Sequence, residues 1–262
     1  MTDIHRQRQT AEAFGGEAER YDRARPSYPS AMVERIVAAS PGPSVLDVGC
    51  GTGIASRLFR AAGCAVLGVD VDDRMAATAR RSGIECEVAK FEEWDPAGRS
   101  FDALIAGQTW HWIDPAAGAV KAASVLRPGG RIALFWNAFE PPADVRRALG
   151  EVQDRVFPGT PNAWAHQGPV ADGYARMAGT AAAGLDGTGA FGEVEQWRFE
   201  WDHVYSTEAW LDVLPTFGGL GSRVPADRLR VLLDANAEVI DAAGGSFVMH
   251  YTTVVGTTTR TG

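Results

Sequence analysis

The stretch "SVLDVGCGTGIASRLFRAA" (44–62) constrains the fold more than any other part of the chain. Val45, Leu46 and Val48 form a short apolar run of the kind buried on both faces in a parallel sheet. Gly49, Gly51 and Gly53 follow at once, where positive φ and close approach of a ligand to the backbone are both possible. Residues 54–62 then read as a helix, with Gly63 placed just past its end. Strand, glycine turn and helix make a unit that needs parallel neighbours.

Those neighbours are present. "CAVLGVD" (64–70), "IECEVAK" (84–90), "FDALIAG" (101–107) and "RIALFWN" (131–137) read as four further strands. Helices are predicted between them at 73–83 and 115–126, and before them at 30–39, with Ser30 as its cap. Alternating strands and helices imply a parallel sheet covered on both faces by right-handed crossovers. Such sheets bind ligands beyond the carboxyl ends of their strands, where strand order reverses. Past residue 137 the pattern loosens. A helix is predicted over 141–157, while 158–192, rich in Gly, Ala and Pro, yields no element. "VEQWRFEWDHVYS" (194–206) reads as a strand, followed by a short helix capped by Ser206. A helix over 225–245 and the β-branched strand "SFVMHYTTVVGTTT" close the chain, the two late strands forming an antiparallel edge.

A chain of 262 residues suits one such domain with a small lid. Its net charge of −8 makes a phosphate backbone an unfavourable partner. Cys50, Cys64 and Cys86 are odd in number and form no CxxC, so neither a disulfide framework nor a metal site is expected. The opening residues lack an apolar signal region, and no apolar run reaches the roughly 18 residues of a membrane span. The expected place is the cytoplasm, with reduced thiols and no membrane partner.

The glycine spacing narrows the ligand. The dinucleotide pattern G-x-G-x-x-G requires a third glycine where Ile54 stands. Asp47 lies two residues before the first glycine, where a carboxylate suits a ligand's positive group better than a pyrophosphate.

"VLDVGCGTG" resembles the first motif of class I S-adenosylmethionine-dependent methyltransferases. "GVDVDDRM" is similar to their acidic ribose site, "EVAKFEEWD" to their adenine-contacting stretch, and "FDALIAGQTWHWID" to their fourth-strand motif. "VLRPGGRIALF" matches the entry to their fifth strand, so the likeness runs over roughly residues 15–137. The "YDRARPSYP" start and the "HW" after strand four resemble the small-molecule group that includes trans-aconitate methyltransferase. The resemblance implies a Rossmann-like, doubly wound α/β sheet of seven strands, mostly parallel with an antiparallel last strand, plus a small lid. It also implies S-adenosylmethionine as cofactor.

By matching position, the resemblance puts Gly49, Gly51 and Gly53 at the methionine moiety and Asp47 behind them. Asp70 would hold both ribose hydroxyls. Val71 and Met75 would pack the adenine, and Phe91 and Glu92 would stand at its edge. Lys90 departs from the family pattern, because it occupies a place where an Asp often accepts from the adenine amino group, and a cation cannot accept. Gln108 goes to the methionine end, and Tyr21 and Arg25 would close it, with the guanidinium near a carboxylate. A segment over 1–29 would cover the cofactor. Insertions over 138–192 and 207–224 would form the lid within a single domain over 1–262.

"GQTWHWIDP" (107–115) holds the remaining chemistry. Trp110 is expected as a pocket wall, Trp112 as core and Asp114 as the cap of the helix opened by Pro115. His111 is the one candidate general base, weighed against a positioning or packing role. The expected activity is methyl transfer to a small-molecule acceptor, at oxygen, with a non-catalytic S-adenosylmethionine- or S-adenosylhomocysteine-binding protein as the alternative. The acidic balance and the lack of a D/N-P-P-Y/F motif after strand four disfavour nucleic acid or protein as the acceptor.

Overall fold

A computed structural model describes residues 17–166 and 168–262. Of the segment over 1–29 that is expected to cover the cofactor, residues 1–16 lie outside the described residues. Seven strands form one sheet: β1 Ser44–Val48, β2 Ala65–Asp70, β3 Glu85–Val88, β4 Phe101–Gly107, β5 Leu126–Glu140, β6 Glu195–Ser206 and β7 Ser246–Thr259. Their order is β3-β2-β1-β4-β5-β7-β6. The first five pair in parallel, and β7 is inserted antiparallel between β5 and β6. Chain order therefore reverses between β1 and β4, and both strands run their carboxyl ends toward one edge.

The helices are α1 Ala18–Ala24, α2 Ser30–Ala38, α3 Ile54–Ala61, α4 Asp73–Arg81, α5 Pro115–Val125, α6 Ala143–Val156, α7 Val170–Asp186, α8 Thr207–Val213, α9 Leu220–Arg223 and α10 Ala226–Ala242. One face of the sheet buries Met32, Val33 and Ile36 of α2 with Phe59 of α3 against Ile105, Phe135 and Val255. The opposite face buries Ala119 and Ala122 of α5 with Ala178, Ala181 and Leu185 of α7 against Leu104, Leu134 and Trp136. A third cluster lies around the β6–β7 hairpin. There Trp210 and Val213 of α8 pack with Leu149 of α6, Leu232 and Ile240 of α10, Tyr205 and Phe247.

The strand and helix expectations hold with small shifts at the ends. Ser30 is not the cap of α2: Pro29 occupies that place and Ser30 is the first helical residue. Asp114 does cap α5, its carboxylate accepting from the Ala116 and Ala117 backbone N–H groups at 3.0 and 2.9 Å. Ser206 likewise accepts from Ala209 N at 3.2 Å. The segment that yielded no element contains α7, a helix of 17 residues. Its glycines disguise it, and one of them has a packing reason. A Cβ on Gly184 would lie 2.8 Å from the Pro115 carbonyl oxygen, so glycine lets α7 approach the start of α5.

The three cysteines are free and buried. Cys50 and Cys86 place their sulfurs 3.4 Å apart, and Gly68 makes room for them, since a Cβ there would sit 2.6 Å from the Cys50 sulfur. Among the described residues no helix is long and apolar enough to cross a membrane, and no cluster of side chains could hold a metal ion.

Candidate active site

A cavity of about 580 Å³ opens where the strand order reverses. Three groups of residues build it. The ends of β1 and β2 supply Asp47, Gly49, Gly51 and Asp70, and the ends of β4 and β5 supply Gln108, Asn137 and Phe139. Tyr21 and Arg25 from the amino-terminal side, Tyr174 from α7 and Phe217 from the turn after α8 complete the wall.

The glycine loop is held by backbone geometry. Gly49, Gly51 and Gly53 all have positive φ, at 63°, 57° and 86°. The three do different work. A Cβ on Gly49 would stand 2.0 Å from Cγ2 of Thr109, so this glycine is required by the β4 loop that crosses it. Thr109 also donates its hydroxyl to the Gly49 carbonyl at 3.0 Å. A Cβ on Gly51 would meet nothing within 4 Å, and Gly51 lines the cavity. Gly53 does not line it. It turns the chain into α3, where an added Cβ would lie 3.3 Å from Ile84 and 3.4 Å from Ala79.

Asp70 fastens this loop to β2. Its Oδ2 accepts from Gly51 N at 2.8 Å and its Oδ1 from Asp72 N at 2.9 Å. Each oxygen keeps acceptor capacity beyond those bonds, since a carboxylate offers about four lone-pair sites. Burial pushes the Asp70 carboxyl above its ordinary range. Asp47 lies deeper. It is 1% exposed and accepts from the Ser56 hydroxyl at 2.5 Å. Burial in the β1 end, with Asp70 nearby, pushes its carboxyl up to about 7.

Val71, Met75, Phe91 and Glu92 line the same end of the cavity. Glu92 accepts from the Asp114 backbone N–H at 3.1 Å, tying the turn after β3 to the turn after β4. Lys90 is turned away and pairs with Glu93 at 2.7 Å, so the departure from the family pattern places no cation in the cavity wall.

Arg25 stands over the opening. Its guanidinium lies 4.9 Å from the Tyr21 ring centre and 4.5 Å from that of Phe217, and it donates to the Thr216 carbonyl at 2.6 Å. Two buried polar atoms of the cavity wall lack a partner, Arg25 Nε and Thr52 Oγ1. Buried polar atoms are nearly always hydrogen-bonded, so these two are free to bond a ligand or a water.

The "TWHW" turn differs from expectation in two respects. Trp110 is 3% exposed and packs in the core beneath α5, outside the cavity wall, whereas Trp112 lines the cavity. The two tryptophans exchange their expected roles because the segment Trp110–Trp112 is a 3₁₀ turn, which sends neighbouring side chains in different directions. The chain enters this turn through Gln108, a non-glycine residue at φ 56°, whose side-chain amide donates to the Asn137 carbonyl at 3.4 Å. His111 lines the cavity and its Nδ1 accepts from the indole N–H of Trp136 at 3.2 Å. Burial pushes its imidazole down to about 4, so the ring is neutral at ordinary pH. A neutral imidazole that accepts at Nδ1 carries its proton on Nε2 and has no lone pair left for a base. In this geometry the Nδ1 lone pair is engaged by Trp136, which favours the positioning role over that of general base. Trp136 lies 25 residues from His111, and no local signal points to the pair.

Known proteins resemble this chain in sequence and fold. A methyltransferase domain model matches residues 46–134, the span from β1 into β5. A methyltransferase of Mycobacterium tuberculosis without assigned substrate is 36% identical over 146 residues, 55% of this chain and 59% of that protein. The Mycobacterium bovis protein matches to the same extent, so the likeness covers less than two thirds of these relatives' own length. A malonyl-[acyl-carrier protein] O-methyltransferase of Enterobacter lignolyticus is 32% identical over 42% of this chain and 45% of its own length. Among solved structures, a protein of Anaeromyxobacter dehalogenans described as a type II methyltransferase superposes with a TM-score of 0.62 at 25% identity, over 89% of this chain and 97% of that one. No likeness singles out the trans-aconitate group. The sheet order, the glycine loop and these relatives agree: residues 46–134 match a methyltransferase domain, and the fold is similar to that of the class I S-adenosylmethionine-dependent methyltransferases.

Proposed function

We propose that this protein transfers a methyl group from S-adenosylmethionine to an oxygen of a small-molecule acceptor. The observation that carries the cofactor half is the junction of Gly51 and Asp70 at 2.8 Å on the wall of the cavity. In this reading Asp70 takes the ribose hydroxyls on its free lone pairs, and Val71, Met75 and Phe91 hold the adenine with Glu92 at its edge. Gly49, Gly51 and Gln108 line the methionine end. Asp47 offsets its ammonium, and Arg25 Nε, with Tyr21 beside it, takes its carboxylate. The orphaned Arg25 Nε and Thr52 Oγ1 support this fit, because a zwitterionic, hydroxylated ligand offers acceptors and donors to both. When bound, the cofactor supplies an electrophilic methyl group on a sulfonium. The protein then has to align the acceptor and exclude water.

The charge distribution of the cavity supports oxygen. Its carboxylates, Asp47, Asp70 and Glu92, stand on the β1–β3 side. The side built from β4, β5, α7 and the lid offers His111, Trp112, Asn137, Phe139, Tyr174 and Phe217, with no carboxylate among them. An amine acceptor arrives as a cation and needs a counter-charge, whereas a hydroxyl or carboxyl acceptor does not. The net charge of −8 and the cover of lid residues favour a small acceptor over a nucleic acid.

The test is calorimetric binding of S-adenosylmethionine and S-adenosylhomocysteine to the full chain, followed by turnover of methyl-labelled cofactor against a panel of small hydroxy and carboxy compounds. Binding weakened about tenfold or more in Asp70→Asn is the expected result. Binding of a nicotinamide dinucleotide in place of these ligands would sink the reading.

A further inference from the structure

The acceptor side of the cavity carries one group whose hydrogen-bonding sense is fixed by the core beneath it. The indole N–H of Trp136 can only donate, and it donates to Nδ1 of His111. Trp136 is 1% exposed and sits in β5 between Leu134 and Ala138, so it cannot turn to serve His111 differently. His111 is thereby locked as the tautomer protonated at Nε2. Around it stand Trp112, whose ring centre is 4.7 Å from the imidazole, and the α7 residues Tyr174 and Met177 on the same side of the sheet.

We propose that His111 is a neutral hydrogen-bond donor that selects acceptors bearing a carbonyl or carboxylate oxygen beside the atom that is methylated. The proposal rests on the reading of this cavity as a methyl-transfer site. A donor aimed at the nucleophilic oxygen itself would stabilise the electron density that has to attack and so weaken it as a nucleophile. The productive partner of Nε2–H is therefore a neighbouring oxygen, and sp² or anionic oxygens accept best. The arrangement also rejects. An acceptor without such an oxygen leaves a desolvated N–H unpaired, and an unpaired buried donor costs about 1–3 kcal/mol. An ammonium group presented at this position meets an N–H instead of a lone pair.

The first test needs no substrate. Long-range proton–nitrogen correlation spectra of the histidine-labelled full chain should show His111 protonated at Nε2 and bare at Nδ1. A proton at Nδ1 would overturn the proposal. Trp136→Phe keeps the ring but removes the lock, and the two tautomers should then mix. A wild-type tautomer pattern in that variant would also overturn it. The second test titrates three probes, benzoate, acetophenone and toluene, into protein saturated with S-adenosylhomocysteine. Benzoate and acetophenone should move the His111 Nε2 resonance, and toluene should not. His111→Phe should weaken the first two about tenfold and leave toluene unchanged. His111→Gln, which presents an amide N–H near the same place, should restore most of the preference. Equal weakening of all three probes in His111→Phe would show a packing role and end the proposal. Failure of S-adenosylhomocysteine to bind would instead overturn the methyl-transfer reading, and the spectra alone would then decide the donor assignment.

Discussion

The two halves of the cavity are built by different means. The β1–β2 half is backbone work: three positive-φ glycines, a strand-end carboxylate bonded to two N–H groups, and a helix that starts at the loop. The lid half is side-chain work. Phe139 lies 5.2 Å from Phe217 and 6.1 Å from Tyr251, and Tyr251 stacks on Trp201 at 4.4 Å. Tyr251 and Tyr205 share a buried hydroxyl contact at 2.8 Å. A wall made of main chain can persist while the facing side-chain wall is repacked, because its own hydrogen bonds hold it. The comparison predicts that damage to either half stays in that half.

The largest effect is expected from Trp210→Ala. Trp210 of α8 is fully buried in the cluster around the β6–β7 hairpin and donates its indole N–H to Asn236 at 3.0 Å. Removing it leaves a cavity and an unpaired amide oxygen, at a cost of about 3–5 kcal/mol. Denaturant melts should show this loss, and hydrogen exchange should place it in α6, α8 and α10. Equal loss of protection in β1 and β2 would break the separation of the halves.

Asp47→Asn tests the other half, with the opposite sign. The folded-state pKa of Asp47 is raised to about 7, so the folded protein holds a proton that the unfolded chain has released. The contribution of Asp47 is fully present below the unfolded pKa, falls as pH rises through the folded value, and is flat above it. The asparagine variant removes that decline. It should be more stable than the parent at alkaline pH, on the order of 4 kcal/mol for so buried a group, and equal to it near pH 4. Chemical melts across this range give the answer. A constant difference at all pH values would show that Asp47 ionises freely in the fold. Gly49→Ala ranks next. It forces a Cβ into Thr109 at positive φ, and about 2–3 kcal/mol is expected from strain and overlap together. Gly49→Ala combined with Thr109→Ser should recover part of that cost, since the colliding atom is the threonine methyl.

The same contrast explains what the sequence reveals. β1 through β5 are legible because buried parallel strands write continuous apolar runs, and the turns between them carry glycines at forced φ values. Asp70 and Gly51 are legible because each stands at a strand end, Gly51 in the turn after β1 and Asp70 as the last residue of β2. Trp110 and Trp112 are not, because their directions depend on a 3₁₀ turn entered through Gln108 at positive φ. α7 hides behind Gly173, Gly179 and Gly184, which read as loop punctuation, while its inward residues Ala178, Ala181 and Leu185 are mostly too small to mark a stripe. The lock on His111 depends on a contact between two strands' ends, and pairings of that kind leave no local trace.

The smallest effect concerns the segment that bridges the halves. Asp22 of α1 pairs with Arg57 of α3 at 2.8 Å, and the same guanidinium donates to the Thr52 carbonyl of the glycine loop at 2.9 Å. On its other side α1 reaches the lid, where Arg25 donates to Thr216 and Arg23 meets Asp212 at 2.8 Å. Asp22→Ala removes a half-exposed ion pair, worth about 0.5 kcal/mol. Global stability should hardly change. Hydrogen exchange should nevertheless quicken at residues 18–25 and spare β1, because α1 is fastened to the sheet half largely through side chains and the glycine loop is held by its own backbone. If exchange rose in the loop as well, the wall of main chain would depend on its cover, and the two halves would be one mechanical unit.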